Sequence, residues 1–158
     1  MPAEKQASAS VTAELILKQF IAASINRHHG DYYDLVSSMD QSAKTRDQYL
    51  EEQQALQPNL ADAYFDKISY QISSIIITDT TASAEVVYQF PDAERMIKQV
   101  YNLAILEKQS LPPLAVMKQQ MDAAYQDKPM PMKTITRRFT LQQEVDGWRV
   151  VVGWNKNS

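Results

Sequence analysis

The chain has 158 residues and no cysteine, three glycines and two histidines. Without cysteine there is no disulfide, no thiolate zinc site and no cysteine nucleophile, and the redox compartment stays open. Gly30, Gly147 and Gly153 are scattered, so no glycine-rich loop can cradle a phosphate. Basic residues are not in excess: 16 Lys and Arg stand against 19 Asp and Glu, for a net charge of −3. Binding a phosphate backbone needs a concentrated basic face, which Arg137-Arg138 does not make, so nucleic acid is not the expected partner. No apolar run approaches the roughly 18 residues of a membrane span, and no charged-then-apolar leader opens the sequence as given. Hydrolase triads are unsupported. A single soluble domain is expected, and a chain of this size buries roughly 68–70% of its unfolded surface.

What is present is clearest in residues 135–154, where apolar and polar residues alternate up to Asp146-Gly147 and resume as Trp148, Val150, Val152 and Trp154. Period-two alternation around Asp-Gly predicts a half-buried hairpin with a two-residue type I′ turn. That turn would set Val145 opposite Trp148, Gln143 opposite Val150, Leu141 opposite Val152 and Phe139 opposite Trp154, with Glu144 beside Arg149 on the other face.

Residues 1–10 are aperiodic and read as a disordered lead-in, the rest of a tether or simply a loose terminus. Thr12 can cap a first helix carrying Leu15, Ile16, Phe20, Ala23 and Ile25 on one stripe. Arg27-His28-His29-Gly30 ends it, with basic residues facing the helix dipole and glycine at the left-handed position. The two histidines then serve as a cap, because neighbouring helical side chains diverge by about 100°; a metal or acid/base role is the alternative. A short helix follows from Asp31 through Met39, and a third from about Ser42 to Gln57, stopped by Pro58. Residues 59–66 are a connector holding Tyr64 and Phe65. Residues 68–78 and 82–90 predict two strands around a three-residue loop at Asp79-Thr80-Thr81, with Ile76, Ser74, Ile72 and Tyr70 facing Ala84, Val86, Tyr88 and Phe90. Ile75 and Ile77 then point the other way, so either a bulge near Ser73-Ser74 changes the phase or the strand is covered on both sides. From Pro91-Asp92, Met96, Ile97, Val100, Tyr101 and Ala104 recur at helical spacing; after Leu111-Pro112-Pro113, Leu114, Met117, Met121, Ala124 and Tyr125 repeat the pattern. These two segments predict a helical hairpin inserted between strand pairs, its methionines being either core filler or the lip of a groove.

Helices first, then a strand pair, then a closing hairpin with Asp146-Gly147-Trp148-Arg149-Val150: this order resembles the nuclear-transport-factor-two-like superfamily, over about residues 12–154. The helix ending in His29-Gly30-Asp31-Tyr32 and the Asp-Gly-Trp hairpin are similar to small exported bacterial domains of that superfamily. The resemblance implies a cone-shaped α+β fold: a curved antiparallel sheet with N-terminal helices packed on its concave face and an inserted helical hairpin. The domain would cover residues 11–156, with the insertion at about 92–127, where the family's short connection has become two helices. Isomerases, dehydratases and polyketide cyclases of the superfamily place an Asp/His or Asp/Tyr constellation inside the cone, and no such motif matches here residue by residue.

Strand parity puts Arg137 on the face of Ile135, Phe139 and Leu141. A guanidinium there needs a carboxylate, a ligand anion or an exit past the sheet near Lys156. With Tyr70 and Tyr88 it would line an anion-tolerant apolar pocket. Trp148 and Trp154 are expected in the core, with ligand stacking as the other reading. No catalytic set, metal or cofactor is expected. The sequence points to a non-catalytic exported bacterial domain that binds a small apolar ligand or a protein partner, located in the periplasm or cell envelope, with the cytoplasm as the alternative. A homodimer is compatible with it. Other readings are a scaffold domain of an envelope or secretion assembly, and an isomerase or dehydratase using His28, His29 or Asp31 near Tyr32.

Overall fold

The computed structural model describes residues 2–101 and 110–154, with side chains from Val11 onward; Ala104 and Lys156, which figure in the expectations above, lie outside the described residues. The fold is α+β. Helices α1 (Pro2–Ile25), α2 (His29–Asp34), α3 (Ser38–Ala43) and α4 (Arg46–Ala55) precede strands β1 (Ser69–Thr78) and β2 (Thr81–Pro91). Helices α5 (Ala93–Val100) and α6 (Leu114–Ala124) lead to β3 (Met132–Glu144) and β4 (Gly147–Val151). The four strands form one open antiparallel sheet in the order β1-β2-β3-β4. The chain divides into two compact units: Met1–Leu56 with Gln71–Val87 and Thr136–Ser158, and Gln57–Tyr70 with Tyr88–Ile135.

In the first unit, α1 buries Ala13, Leu17, Phe20, Ile21 and Ala23, whereas Leu15 points outward at 55% exposure. The expected stripe was therefore rotated, and the backbone from Pro2, expected to be disordered, is helical. Proline suits a first helical turn, and the Ala, Glu, Lys and Gln that follow favour helix without any packing pattern. α1 lies against β4, with Phe20 edge-on to Phe139 at 6.1 Å. The covered face of the sheet is closed by Ala82, Ala84, Val86, Leu141, Trp148 and Val150, all buried. The outer edge of β4 is engaged at Val150: Val36 bridges Val150 in parallel, with Ser37 N–H donating to Val150 O and Val150 N–H to Leu35 O, both at 2.8 Å.

The closing hairpin forms, but its turn is Val145-Asp146 and Glu144 faces Gly147, so Gln143 meets Trp148 and Leu141 meets Val150. This moves the register by two residues from the expected one. Parity is preserved, so the buried set survives, apart from Val145, which is fully exposed in the turn. The reason is dihedral. Neither Val145 nor Asp146 has a positive φ; only Gly147 does, at +129°, which is the pattern of a turn followed by a glycine bulge rather than a type I′ turn. Arg149 accordingly sits across from Gln142 and pairs with Asp146, not Glu144. Glu144 instead accepts from Ser38 N–H (3.1 Å), the Ser38 hydroxyl and Gln142 Nε2 (2.6 Å).

The first hairpin also turns one residue tighter, at Asp79-Thr80, with Asp79 left-handed at φ 54°. A two-residue loop places Ile75 and Ile77 with Ala84 and Ala82 on the covered side, and Ile76 is 63% exposed. The expected pairing of Ile76 with Ala84 is therefore replaced. Exposure along β1 changes phase between Ser74 and Ile75, and the Tyr70 and Tyr88 rings meet at 6.2 Å, which an unslipped register would put on opposite faces. One extra residue at Ser73-Ser74 accounts for both observations. The Ser73 hydroxyl donates to Glu85 O at 3.1 Å there.

The second unit has its own core of Leu60, Tyr64, Met96, Met117 and Met121, packed by Ile97, Val100, Leu114 and Tyr125. Pro91 closes β2 rather than opening a helix, and Asp92 caps α5 by accepting from Arg95 N–H at 3.1 Å. Met96 and Met121 are fully buried, so these methionines are core filler. Reciprocal bonds from Tyr101 to Gln120 and from Tyr125 to Gln99 (2.7 Å) join α5 to α6. Tyr64, in a 3-10 turn at Asp62–Lys67, donates to Asp122 Oδ1 at 2.7 Å. That bond lowers the Asp122 carboxyl, while burial and the same partner push the Tyr64 hydroxyl up.

Candidate functional site

α1 stops at Ile25 because Arg27 takes the left-handed position, φ 58°. His28 N–H then reaches back to Ala23 O (2.9 Å) and Arg27 N–H to Ser24 O (3.4 Å), the two bonds of a Schellman ending. The left-handed residue is thus Arg27, not Gly30 as the sequence suggested. Gly30 lies inside α2, where a Cβ would come within 2.4 Å of the Arg46 guanidinium. The turn releases α2 beside the end of α1, and three-residue spacing puts Asp31 and Asp34 on one face of it.

Between the two helices is a groove of about 410 Å³ lined by Gln19, Ala22, Ala23, Asn26, His28, Asp31, Asp34 and Leu35. Ala22, Ala23 and Leu35 make it apolar; two carboxylates, two amides and one imidazole supply the polar groups. Asp34 is partly neutralised by Arg46, 3.3 Å away. Asp31 has only a loose contact with His28 Nδ1, at 3.9 Å, and both side chains are mostly exposed, at 76% and 64%. His29 turns away from His28 toward Tyr49, edge-on at 6.2 Å, and burial, followed by the charges of Arg27 and His28, lowers its pKa. The histidines do not converge. Among the described residues no group of three or more His, Asp or Glu is placed to hold a metal ion.

Beneath α2 runs an aromatic cluster. Phe20 meets Tyr32 at 4.3 Å, Tyr32 stacks on Tyr49 at 5.6 Å, and Tyr33 and Tyr49 both contact Trp154, at 5.9 and 5.2 Å. Lys44 Nζ caps the Trp154 ring at 4.8 Å, a cation–π contact. Burial pushes the Tyr32 and Tyr49 hydroxyls upward, with Asp40 adding to the effect at Tyr32 and Tyr32 at Tyr49. Asp40 is itself 3% exposed. It accepts from the Ser37 hydroxyl (2.8 Å), Val152 N–H (2.9 Å) and Gly153 N–H (3.3 Å), which fixes the chain that carries Trp154.

Of the residues singled out from sequence, Trp148 is core at 2% exposure and Trp154 belongs to the aromatic cluster. Tyr70 and Tyr88 face each other, and Arg137 is exposed. The groove residues Gln19, Ala22 and Asn26 carried no sequence signal, since amides and alanines on a helix read as a solvated face; Leu35 was expected only as an apolar contact of the short helix. Asp40 had one: Ser37-x-x-Asp40 is an N-terminal capping spacing, and Ser37 does accept from Asp40 N–H at 3.2 Å. No described helix is long and apolar enough to cross a membrane. Comparison with family models, curated proteins and solved structures yields no match for this chain.

Proposed function

We propose that the chain is a non-catalytic binding domain whose groove at the end of α1 takes a small, mainly apolar ligand with a basic head group. The observation that carries this reading is the lining: an apolar surface of Ala22, Ala23 and Leu35 beside the weakly engaged Asp31 carboxylate. A cationic head would replace His28 as the neighbour of Asp31, while Asn26 and Gln19 offer hydrogen bonds. An acid/base enzyme is less well supported, because the His28 and Asp31 side chains stand mostly in water and meet only at 3.9 Å. The order of helices, strand pair, helical insertion and closing hairpin supports grouping the domain with the small exported proteins of the nuclear-transport-factor-two-like superfamily, and a periplasmic or envelope location goes with that grouping.

Titration with n-octylamine, followed by amide shifts at Ala22, Asn26 and Leu35, tests the reading. Saturable shifts are expected, lost in Ala22→Trp, which fills the groove from an exposed helix position, and weakened in Asp31→Asn. Octanol should bind more weakly than the amine. Absence of shifts at these three amides, or equal binding of amine and alcohol, rejects the proposed ligand class.

A further inference from the structure

We infer that Arg46 is the specificity-determining residue of the groove at the end of α1: by holding Asp34 it leaves Asp31 as the carboxylate open to a ligand, so that the groove takes a single ammonium and gives a second no partner. The inference rests on the proposed ligand class and goes one step further, to the residue that decides between one charge and two. Both carboxylates line the groove, and their three-residue spacing on α2 leaves them roughly 5–6 Å apart at Cβ. Their neighbours differ. Asp31 meets His28 Nδ1 only at 3.9 Å, whereas Asp34 Oδ1 accepts from Arg46 Nε at 3.3 Å. A second guanidinium, that of Arg149, reaches Asp34 from the backbone side, donating to its carbonyl oxygen, and pairs with Asp146. Arg46 is therefore the cation on the Asp34 carboxylate itself. All of these residues belong to the first unit.

Gly30 is what lets Arg46 lie there. It sits in the first turn of α2 without a positive φ, so no backbone conformation asks for glycine at this position. What asks for it is space: an added Cβ would stand 2.4 Å from Arg46 Nη2 and 3.3 Å from Cζ, closer than such atoms pack. Arg46 is the first residue of α4, whose start is fixed by Thr45 accepting from Gln48 N–H at 3.1 Å, so its backbone is anchored while its guanidinium lies across α2. Gly30, Asp34 and Arg46 thus form one arrangement: a bare helix position, the cation against it and the carboxylate that this cation holds. The two paired side chains are 50% and 58% exposed, so the selectivity they impose is about three- to fivefold and no more.

The test compares n-octylamine with N-octylpropane-1,3-diamine, whose two ammoniums stand about as far apart as the two carboxylates. Both are titrated at fixed salt and followed at the Ala22, Asn26 and Leu35 amides. The wild type should bind them within about twofold of each other. Arg46→Gln should favour the diamine by a further factor of about three to five, and Gly30→Ala, which keeps every charge and displaces the guanidinium, should shift the ratio the same way by about twofold. Adding Asp34→Asn to Arg46→Gln should return the ratio to that of the wild type. Binding of neither amine by the wild type rejects the ligand class and this inference with it; n-octylamine bound, with a ratio that Arg46→Gln leaves unchanged, overturns this inference and spares the ligand class. A ratio raised by Arg46→Gln but not by Gly30→Ala is the effect of a removed charge rather than of a released carboxylate, and overturns it too, as does a gain that survives Asp34→Asn.

Discussion

Replacing Asp40 by alanine should be among the most damaging single changes in the first unit. Its carboxylate receives the Ser37 hydroxyl at 2.8 Å, Val152 N–H at 2.9 Å and Gly153 N–H at 3.3 Å, and the residue is 3% exposed. A donor stripped of its partner in a buried setting costs about 1–3 kcal/mol. Val152 N–H carries most of that penalty. Val152 and Gly153 are both half-buried, so water recovers part of each loss, and more of it at the longer Gly153 bond. The Ser37 hydroxyl can rotate to another acceptor. Relief of the buried charge itself offsets some of the loss. The sum is about 3 kcal/mol, a large part of the roughly 5–15 kcal/mol that separates a domain from its unfolded state. Asp40→Asn keeps one acceptor oxygen but turns an amide NH2 toward backbone donors, and should cost about 1–2 kcal/mol. Urea unfolding followed by circular dichroism gives the stability change, and acrylamide quenching reports Trp154, whose approach to Tyr33 and Tyr49 depends on this anchor. A loss below about 1 kcal/mol for Asp40→Ala, with quenching unchanged, would refute the assignment of Asp40 as the anchor of the 152–154 segment.

Two other outcomes follow from the same structure. Arg27→Gly should stabilise the protein by about 0.5–1 kcal/mol, because a left-handed non-glycine residue costs roughly 1–2 kcal/mol and glycine's extra unfolded-state entropy returns part of that; an unchanged urea midpoint would count against the Schellman ending. Melting temperature against pH should show a plateau bounded on both sides. The pKa values of His29, Glu144, Asp122 and Asp146 are lowered from 6.5, 4.5, 3.8 and 3.8, so the unfolded chain binds more protons and stability falls as pH drops, first below 6.5 and then through the carboxylate range. Tyr32, Tyr49, Tyr64, Tyr101 and Tyr125 are raised above 10.0, chiefly by burial, so the unfolded chain ionises first and stability falls as pH rises past 10. A flat profile between pH 7 and pH 11 would show that these five hydroxyls are not held neutral by the fold.

The parts of the fold legible in the sequence are those where one signal decides. Met96, Ile97, Val100, Met117 and Met121 repeat at helical spacing, and the two helices they predict pack on one another. Trp148 and Val150 are buried as their alternation requires, since parity survives any even shift of register. The exact register did not follow from Asp146-Gly147, because the same dipeptide serves a type I′ turn or a turn with a glycine bulge, and the choice depends on which residue accepts the positive φ. Leu15 was misassigned because α1 has apolar residues on more than one side and only packing selects among them. The groove was not legible at all: it arises from where α2 is released relative to α1, which Arg27 sets by adopting a conformation its residue type does not advertise.

The parallel bridge between Val36 and Val150 also bears on synthesis. The segment between α2 and α3 that bridges β4 leaves the ribosome long before its partner does; Asp40, just after it, and Val152 lie 112 residues apart. A nascent chain therefore carries Tyr33 and Tyr49 without Trp154 against them until residues 148–154 have emerged. Over that interval the two rings stand open to contacts that the folded first unit closes off.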